Sequence, residues 1–276
     1  TIQNVTYFIN DSSSLEVYSI ISDPYNLWDE DYGIYVFGDQ YHPTAPYFGA
    51  NFWQDWERPA HIQYFNEDHL MHWQQDIGIK IHGNYTRMLP QKSLGFYAKS
   101  KYGISRFTHP IPDKEYITDP KRFLLRNAGN DNMIAHFRDL LIHQRMANTH
   151  TDIQSGRAVL AYINGDYWGV YHFREKVDRY YLENNYGVNP DEVNLLEQNG
   201  LIISGDRNGF EHLMKYIHDN DISQEAHYQY ISSQIDIENW IDNLISNIYH
   251  FNTDWPHHNT KFWNAPHHKW RQILVD

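Results

Sequence analysis

Residues 158–171 read AVLAYINGDYWGVY, and this stretch decides how the first part of the chain folds. Apolar and aromatic residues stand on both sides of Asn164-Gly165. Asn-Gly is the preferred pair for a two-residue turn whose backbone twist matches that of paired antiparallel strands. The stretch therefore predicts a β-hairpin over about 157–173.

More strands are predicted on the N-terminal side of this hairpin. Residues 60–65 and 77–82 are rich in aromatic and β-branched side chains, and the polar segment 66–69 begins the connection between them. Another strand is predicted at 93–99, after a loop. Together with the hairpin, these strands should form one mixed sheet.

Helical patterns dominate the second part of the chain. A helix is predicted near 133–147, packed against the sheet, because apolar residues recur there at spacings of three and four. Four more helical patterns follow Glu175, at 177–185, 209–218, 224–234 and 237–251. The last pattern has an apolar stripe for packing, made of Trp240, Leu244, Ile248 and Phe251. Strands followed by helices indicate the α+β fold class.

Composition excludes several functions. The chain has 276 residues with 22 Lys and Arg against 35 Asp and Glu, a formal charge of −13. Such an acidic surface repels a phosphate backbone, so nucleic acid is not an expected partner. There are no cysteines, which excludes disulfides, thiolate metal sites and cysteine nucleophiles. No stretch reaches the roughly 18 apolar residues of a membrane span.

The segment after the last predicted helix carries candidate chemistry. Asp254 and Asn259 are separated by four residues, the spacing of the protein-kinase catalytic loop. There the Asp receives the proton of the substrate hydroxyl and the Asn reaches a metal ion. Residues 270–276 read as a strand ending in Asp276, a carboxylate that could supply a second metal ligand.

This spacing alone does not establish a catalytic loop. Asp254 could simply cap a turn, with Asn259 in a surface loop. Pairs of adjacent histidines at 257–258 and 267–268 suggest a zinc site. Adjacent residues on an extended segment point to opposite faces, however, and no His-Glu-x-x-His helix is present. A histidine metal site is therefore the less favoured interpretation.

Four blocks of sequence, in order, resemble the CotH family of spore-coat-type atypical protein kinases. The first is Gly83-Asn84 through Thr86-Arg87 to Pro90 and Lys92-Ser93, which is similar to the family's glycine loop and lysine. The others are Ile163 to Tyr171 followed by Glu175 to Asp178, then Asp254 with Asn259, then Trp270-Arg271 with Asp276. The resemblance covers about 80–276, and residues 23–29 and 51–59 resemble a leader found on bacterial members.

The resemblance implies a kinase-like fold in three segments. Residues 1–45 would be a β-rich leader, 46–175 a β-rich region like an N-lobe with one helix, and 176–276 a partial helical C-lobe. It also implies ATP and Mg²⁺ as cofactors, and proteins with Ser or Thr acceptors as substrates. The expected location is extracytoplasmic, secreted or on the cell surface.

Residue roles follow from the same resemblance. Asp254 matches the catalytic aspartate, and Asn259 and Asp276 match the metal positions. Lys92 and Arg87 match basic positions that hold phosphates. Glu175 either pairs with Lys92 or contacts the nucleotide from a hinge-like segment.

The end of the chain departs from the family pattern. Val275 stands where the family's Trp-Asp-x-Asp ending has Trp, and Asp276 is the last residue. We therefore expect the C-terminal lobe to be incomplete and this chain to be impaired in activity. The alternative function is a catalytically silent kinase-like module that binds a surface protein or glycan, in keeping with the 16% aromatic content.

Overall fold

A computed structural model describes residues 5–8 and 13–275. The described residues contain six α-helices and eleven strands in two sheets, which confirms the α+β class. They divide into two compact units. The first unit comprises the described residues up to Arg138 together with Ser155–Lys176, and the second comprises Asp139–Gln154 and the described residues from Val177 onward.

The first unit is a closed seven-stranded barrel. The strands neighbour one another in the order β1-β2-β3-β4-β5-β7-β6, and β6 closes the barrel by pairing with β1. That closing pair is parallel, whereas the other neighbours are antiparallel. The strands are β1 Val17–Ile21, β2 Arg58–Phe65, β3 Met71–His82, β4 Ser93–Tyr97, β5 Arg122–Arg126, β6 Gly156–Ile163 and β7 Asp166–Glu175. The predicted mixed sheet is thus confirmed, and its closure into a barrel was not predicted.

Aromatic rings fill the core of this unit. Phe96, Phe123 and Phe173 come from three successive strands of the barrel and are at most 1% exposed. Phe123 stacks on both neighbours, with ring centroids 5.0 Å from Phe96 and 4.8 Å from Phe173. Stacking lets these three rings, which carry no polar atom, fill the core of the barrel.

The predicted hairpin is confirmed. Asn164 and Gly165 form its turn with φ values of +51° and +91°, a conformation that favours Asn and Gly. Asn164 also joins the hairpin to the neighbouring strand. Its backbone N–H donates to Ile20 O at 2.8 Å, and its side-chain Oδ1 accepts from Ser22 N at 2.9 Å. One asparagine therefore both forms the turn and fixes it to the end of β1.

The helix predicted near 133–147 is wrong in its first turn. Helix α2 begins at Arg138 and ends at Met146, and nearly all of it groups with the second unit instead of the sheet. The carboxylate of Asp131 accepts from Ala135 N at 3.2 Å and Arg138 N at 3.1 Å. His136 has a φ of +67°, which interrupts a right-handed helix. Side-chain hydrogen bonds therefore replace helical bonds before Arg138.

The second unit combines helices with a four-stranded sheet of order β11-β10-β8-β9. The four helices predicted after Glu175 are confirmed, but three of the strands were not predicted. Its strands are β8 Asn194–Glu197, β9 Leu201–Ser204, β10 Thr260–Ala265 and β11 His268–Leu274. Helix α1, Pro24–Trp28, lies in the first unit. The helices that follow α2 are α3 Arg179–Tyr186, α4 Asn208–Asp219, α5 Glu225–Gln234 and α6 Ile237–Tyr249. Across the described part of the chain, no helix is long and apolar enough to cross a bilayer.

Helix α6 buries its polar face. Its inward residues are at most 4% exposed and are Asn239, Asn243, Ser246 and Asn247. In the predicted apolar stripe, only Trp240 packs into a core. Leu244, Ile248 and Phe251 are 41%, 64% and 83% exposed. The stripe prediction is therefore wrong beyond its first turn.

The fully buried Asn239 is tolerated here because its amide is hydrogen-bonded on both sides. Asn239 donates to His150 O at 3.0 Å and Gln272 O at 3.1 Å, and its Oδ1 accepts from Gln272 N at 2.7 Å. A buried polar group costs little only when such partners are present. These bonds also attach the start of α6 to β11.

Candidate active site

The loop between α6 and β10 carries the predicted catalytic aspartate. Phe251, the second residue after the helix, has a φ of +55°, which turns the chain away from the helix axis. The N–H of Asn252 then donates back to Asn247 O at 3.0 Å. Further on, the N–H of His258 donates to Asp254 O at 2.9 Å. The loop backbone is thus fixed on both sides of Asp254.

The side chain of Asp254 is available to a ligand. It is exposed, and within the described residues its carboxylate forms no hydrogen bond or ion pair. Its backbone N–H, by contrast, donates to the side chain of Asn252 at 3.2 Å. The loop therefore holds the backbone of Asp254 and leaves its carboxylate oxygens open.

Asn259 stands at the end of the same loop. It is half-buried with a φ of +54°, a left-handed conformation that asparagine tolerates better than most residues. The next residue, Thr260, begins β10 and pairs with Leu274 of β11. Asp276 follows two residues later in the chain and lies outside the described residues.

Lys92 and Arg87 lie in the first unit and bind backbone carbonyl groups. Arg87 Nε donates to Gly83 O at 2.6 Å, and its Nη1 donates to Phe52 O and Trp53 O at 3.2 Å each. The Lys92 ammonium donates to Arg87 O at 2.7 Å and Leu89 O at 3.0 Å. It also lies 4.0 Å from the centroid of the Phe52 ring. Both cations hold the loop that precedes β4 in place.

Glu175 is buried at the end of β7, next to the boundary between the two units. Its carboxylate pairs with Lys114 Nζ at 2.7 Å and accepts from Ser155 N at 2.7 Å. Among the described residues Lys92 is not its partner, so the alternative of a Lys92–Glu175 pair is wrong. No motif in the sequence around Lys114 indicated this pairing.

A buried ionic network joins β10 and β11, the two strands that follow the loop. Asp152 is 2% exposed and binds both the guanidinium of Arg271 and Trp263 Nε1, the latter at 2.7 Å. Arg271 Nε lies 3.1 Å from both carboxylate oxygens, and its Nη1 pairs with Asp236. These contacts join β10, β11 and the N-cap of α6. Sequence reasoning missed Asp152 because it stands in no recognisable motif.

The resemblance noted in the sequence is borne out by comparison with protein families. A profile of the family described as CotH kinase protein matches residues 79–276. The chain belongs to the CotH family. No match is found among curated proteins.

CotH membership indicates a kinase-type function and, in general, the use of ATP with a metal ion. Each predicted site residue lies within the CotH match, which begins inside β3. Among the described residues, no cluster of three or more His, Asp or Glu side chains is arranged to hold a metal ion. The oxygen donors expected of a CotH metal site at Asn259 and Asp276 remain a prediction.

Burial of Lys92 should make stability depend on pH. Burial lowers the pKa of Lys92 from 10.5 to about 8. Between these values the unfolded chain binds more protons than the folded CotH protein, so the free energy of unfolding should rise with pH. In urea unfolding we expect wild type to gain about 1–3 kcal/mol over Lys92→Met between about pH 8 and pH 10. Parallel pH profiles for the two proteins would contradict this assignment.

Proposed function

We propose that this CotH protein transfers the γ-phosphate of ATP to Ser or Thr hydroxyls of protein substrates, in a Mg²⁺-dependent reaction on a kinase-like fold. One observation carries the proposal. Asp254 presents an open carboxylate from a loop whose backbone is hydrogen-bonded, five residues before Asn259. A carboxylate so placed can accept the proton of an attacking hydroxyl, and an amide oxygen can reach a metal ion.

The donor chemistry at the end of the loop fits Mg²⁺. This ion prefers oxygen ligands and is commonly held by one or two carboxylates together with substrate phosphates. Asn259 and Asp276 would supply an amide oxygen and a carboxylate. Bound there, Mg²⁺ would neutralise phosphate charge. The role that falls to the protein is to hold Asp254 against the acceptor hydroxyl.

Nucleotide contacts are proposed for three residues of the first unit. A lysine ammonium has three donors, and two of those on Lys92 already bind Arg87 O and Leu89 O. Lys92 can therefore offer one donor to a phosphate while it shapes the loop. Arg87 would contact a phosphate from the same loop. Glu175 would contact the nucleotide from the end of β7.

The proposed substrate is a protein outside the cytoplasm, secreted or at the cell surface. The net charge of −13 disfavours nucleic acid as a partner. It also favours acceptor segments that are not strongly acidic, because like charges repel.

Metal dependence tests this proposal. Phosphate transfer from labelled ATP to Ser or Thr of casein-like proteins should stop with EDTA and resume with excess Mg²⁺. Asn259→Ala should raise the Mg²⁺ concentration needed for half-maximal rate roughly tenfold, a loss of about 1.4 kcal/mol of metal binding. Asn199→Ala removes an exposed asparagine from another turn of the second unit and should leave that requirement unchanged.

Either of two results would overturn the proposal. If the full-length protein with excess Mg²⁺ transfers no phosphate to any acceptor, or transfers it undiminished in EDTA, the assignment fails. The alternative of a silent module that binds a surface protein or glycan would then be preferred.

A further inference from the structure

A chain of asparagine side chains connects the buried face of α6 to the backbone of Asp254. Asn247 Nδ2 donates to Asn243 O and Asn243 Oδ1, both at 2.9 Å. Asn252 Nδ2 then donates to Asn247 Oδ1 at 2.9 Å, and Asn252 Oδ1 accepts from Asp254 N at 3.2 Å. We call these three asparagines, Asn243, Asn247 and Asn252, the asparagine relay.

The direction of the relay is fixed at both ends. The backbone carbonyl of Asn243 can only accept, so the amide nitrogen of Asn247 must face it. The oxygen of Asn247 must then face Asn252, which donates to it. At the other end the backbone N–H of Asp254 can only donate, so the oxygen of Asn252 must face it. The amides of Asn247 and Asn252 are therefore each used as donor and acceptor at once, whereas Asn243 contributes acceptors only.

The first part of the relay is anchored in a rigid place. Asn243 and Asn247 are 2% and 4% exposed on the inward face of a thirteen-residue helix. A second hydrogen bond joins Asn252 to Asn247, since the backbone N–H of Asn252 donates to Asn247 O at 3.0 Å. Asn252 is thus held by Asn247 through both its backbone and its side chain.

From this geometry we propose that Asn252 and Asn247 are positioning residues for the catalytic aspartate. They set where the backbone of Asp254 lies relative to α6, and so where its carboxylate meets the acceptor hydroxyl. This inference rests on the proposed function, because it assigns a role to the relay only if Asp254 acts in phosphate transfer. An error of about 1 Å in the position of a reacting group can cost about 100-fold in rate.

The test compares kcat and KM for ATP in Asn252→Ala and Asn247→Ala. We expect kcat to fall on the order of 10- to 100-fold, with KM for ATP within about twofold of wild type. Asn220→Ala is the matched control, because Asn220 Nδ2 also donates to a backbone carbonyl four residues earlier, Tyr216 O at 2.8 Å. The control should keep wild-type kcat.

Coupling to Asp254 separates positioning from a general structural role. In an Asp254→Asn background, Asn252→Ala should lower kcat no further, because the group that it positions is already disabled. A further fall equal to that in wild type would overturn the inference. A normal kcat in both single variants would also overturn it. If Asp254→Asn itself keeps wild-type kcat, the proposed function fails and the inference falls with it.

A conservative variant gives a readout that does not depend on folding. Asn252→Asp keeps the acceptor for Asp254 N, but its ionised form cannot donate to Asn247 Oδ1. Its protonated form can donate, as the amide does. The kcat of Asn252→Asp relative to wild type should therefore increase as pH falls from about 7 towards about 4, the range in which an aspartate carboxyl takes up a proton. A ratio that stays constant with pH would count against the relay.

Discussion

Replacing Asp254 with asparagine is expected to lower kcat for phosphate transfer by about 10²–10⁴-fold, the usual contribution of a positioned general base. Asparagine has nearly the same shape but cannot accept the proton of the attacking hydroxyl. Binding of ATP with Mg²⁺, measured by calorimetry, should stay within about twofold of wild type, because the proton moves only in the transition state. The rate is measured as labelled phosphate appearing on protein Ser or Thr.

A second exposed aspartate of the same unit serves as the control. Asp191 is exposed and pairs with Arg179 at 2.8 Å, so Asp191→Asn makes the same chemical change away from the loop. It should transfer phosphate at the wild-type rate. If Asp254→Asn did the same, this loop would not be catalytic, and a binding module would be the better description.

Removal of the Asp152 carboxylate should produce the largest loss of stability. Asp152→Ala leaves the buried indole N–H of Trp263 without its acceptor and removes one of the two carboxylates that bind the guanidinium of Arg271, the other being that of Asp236. Breaking a buried ion pair by removing one partner costs about 3–5 kcal/mol. We therefore expect the free energy of unfolding of the second unit to fall by about that amount.

Hydrogen–deuterium exchange of the amides in β10 and β11 measures this loss locally, which matters because two compact units need not unfold together. Asp191→Ala is the comparison, since the Arg179–Asp191 pair is solvent-exposed and such pairs contribute about 0–1 kcal/mol. Equal protection in the two variants would show that the Asp152 network does not stabilise the unit.

Local patterns predicted the fold where short-range chemistry decides it. The Asn164-Gly165 turn predicts its hairpin because few other residue pairs accept two successive positive φ angles. Closure of the barrel depends instead on a parallel pairing of β1 with β6, remote in sequence. No local pattern encodes that pairing. The strands β8 and β9 have four residues each, too few for a clear alternation of polar and apolar positions.

The sequence indicated one part of the candidate site and not another. Asp254 and Asn259 stand at a recognisable spacing within one loop, so sequence alone could propose them. The asparagine relay could not be found in this way, because periodicity is read from apolar residues. On α6 the apolar residues at 244 and 248 face solvent, while Asn243 and Asn247 share their spacing of four and are buried. Side-chain hydrogen bonds determine which face of α6 is buried, and a hydropathy pattern does not reveal such bonds.

The parallel pairing of β1 with β6 also matters while the protein is being made. A ribosome releases β1 early and β6 late, so a nascent chain carries β1 and β5 with one unpaired edge each until β6 and β7 emerge. Unpaired edges attract strands of other chains, which makes this interval the one in which a chaperone is most useful. A fragment that began at residue 79, where the family match begins, would lack β1, β2 and most of β3, so β6 and the rest of β3 would each keep an unpaired edge permanently.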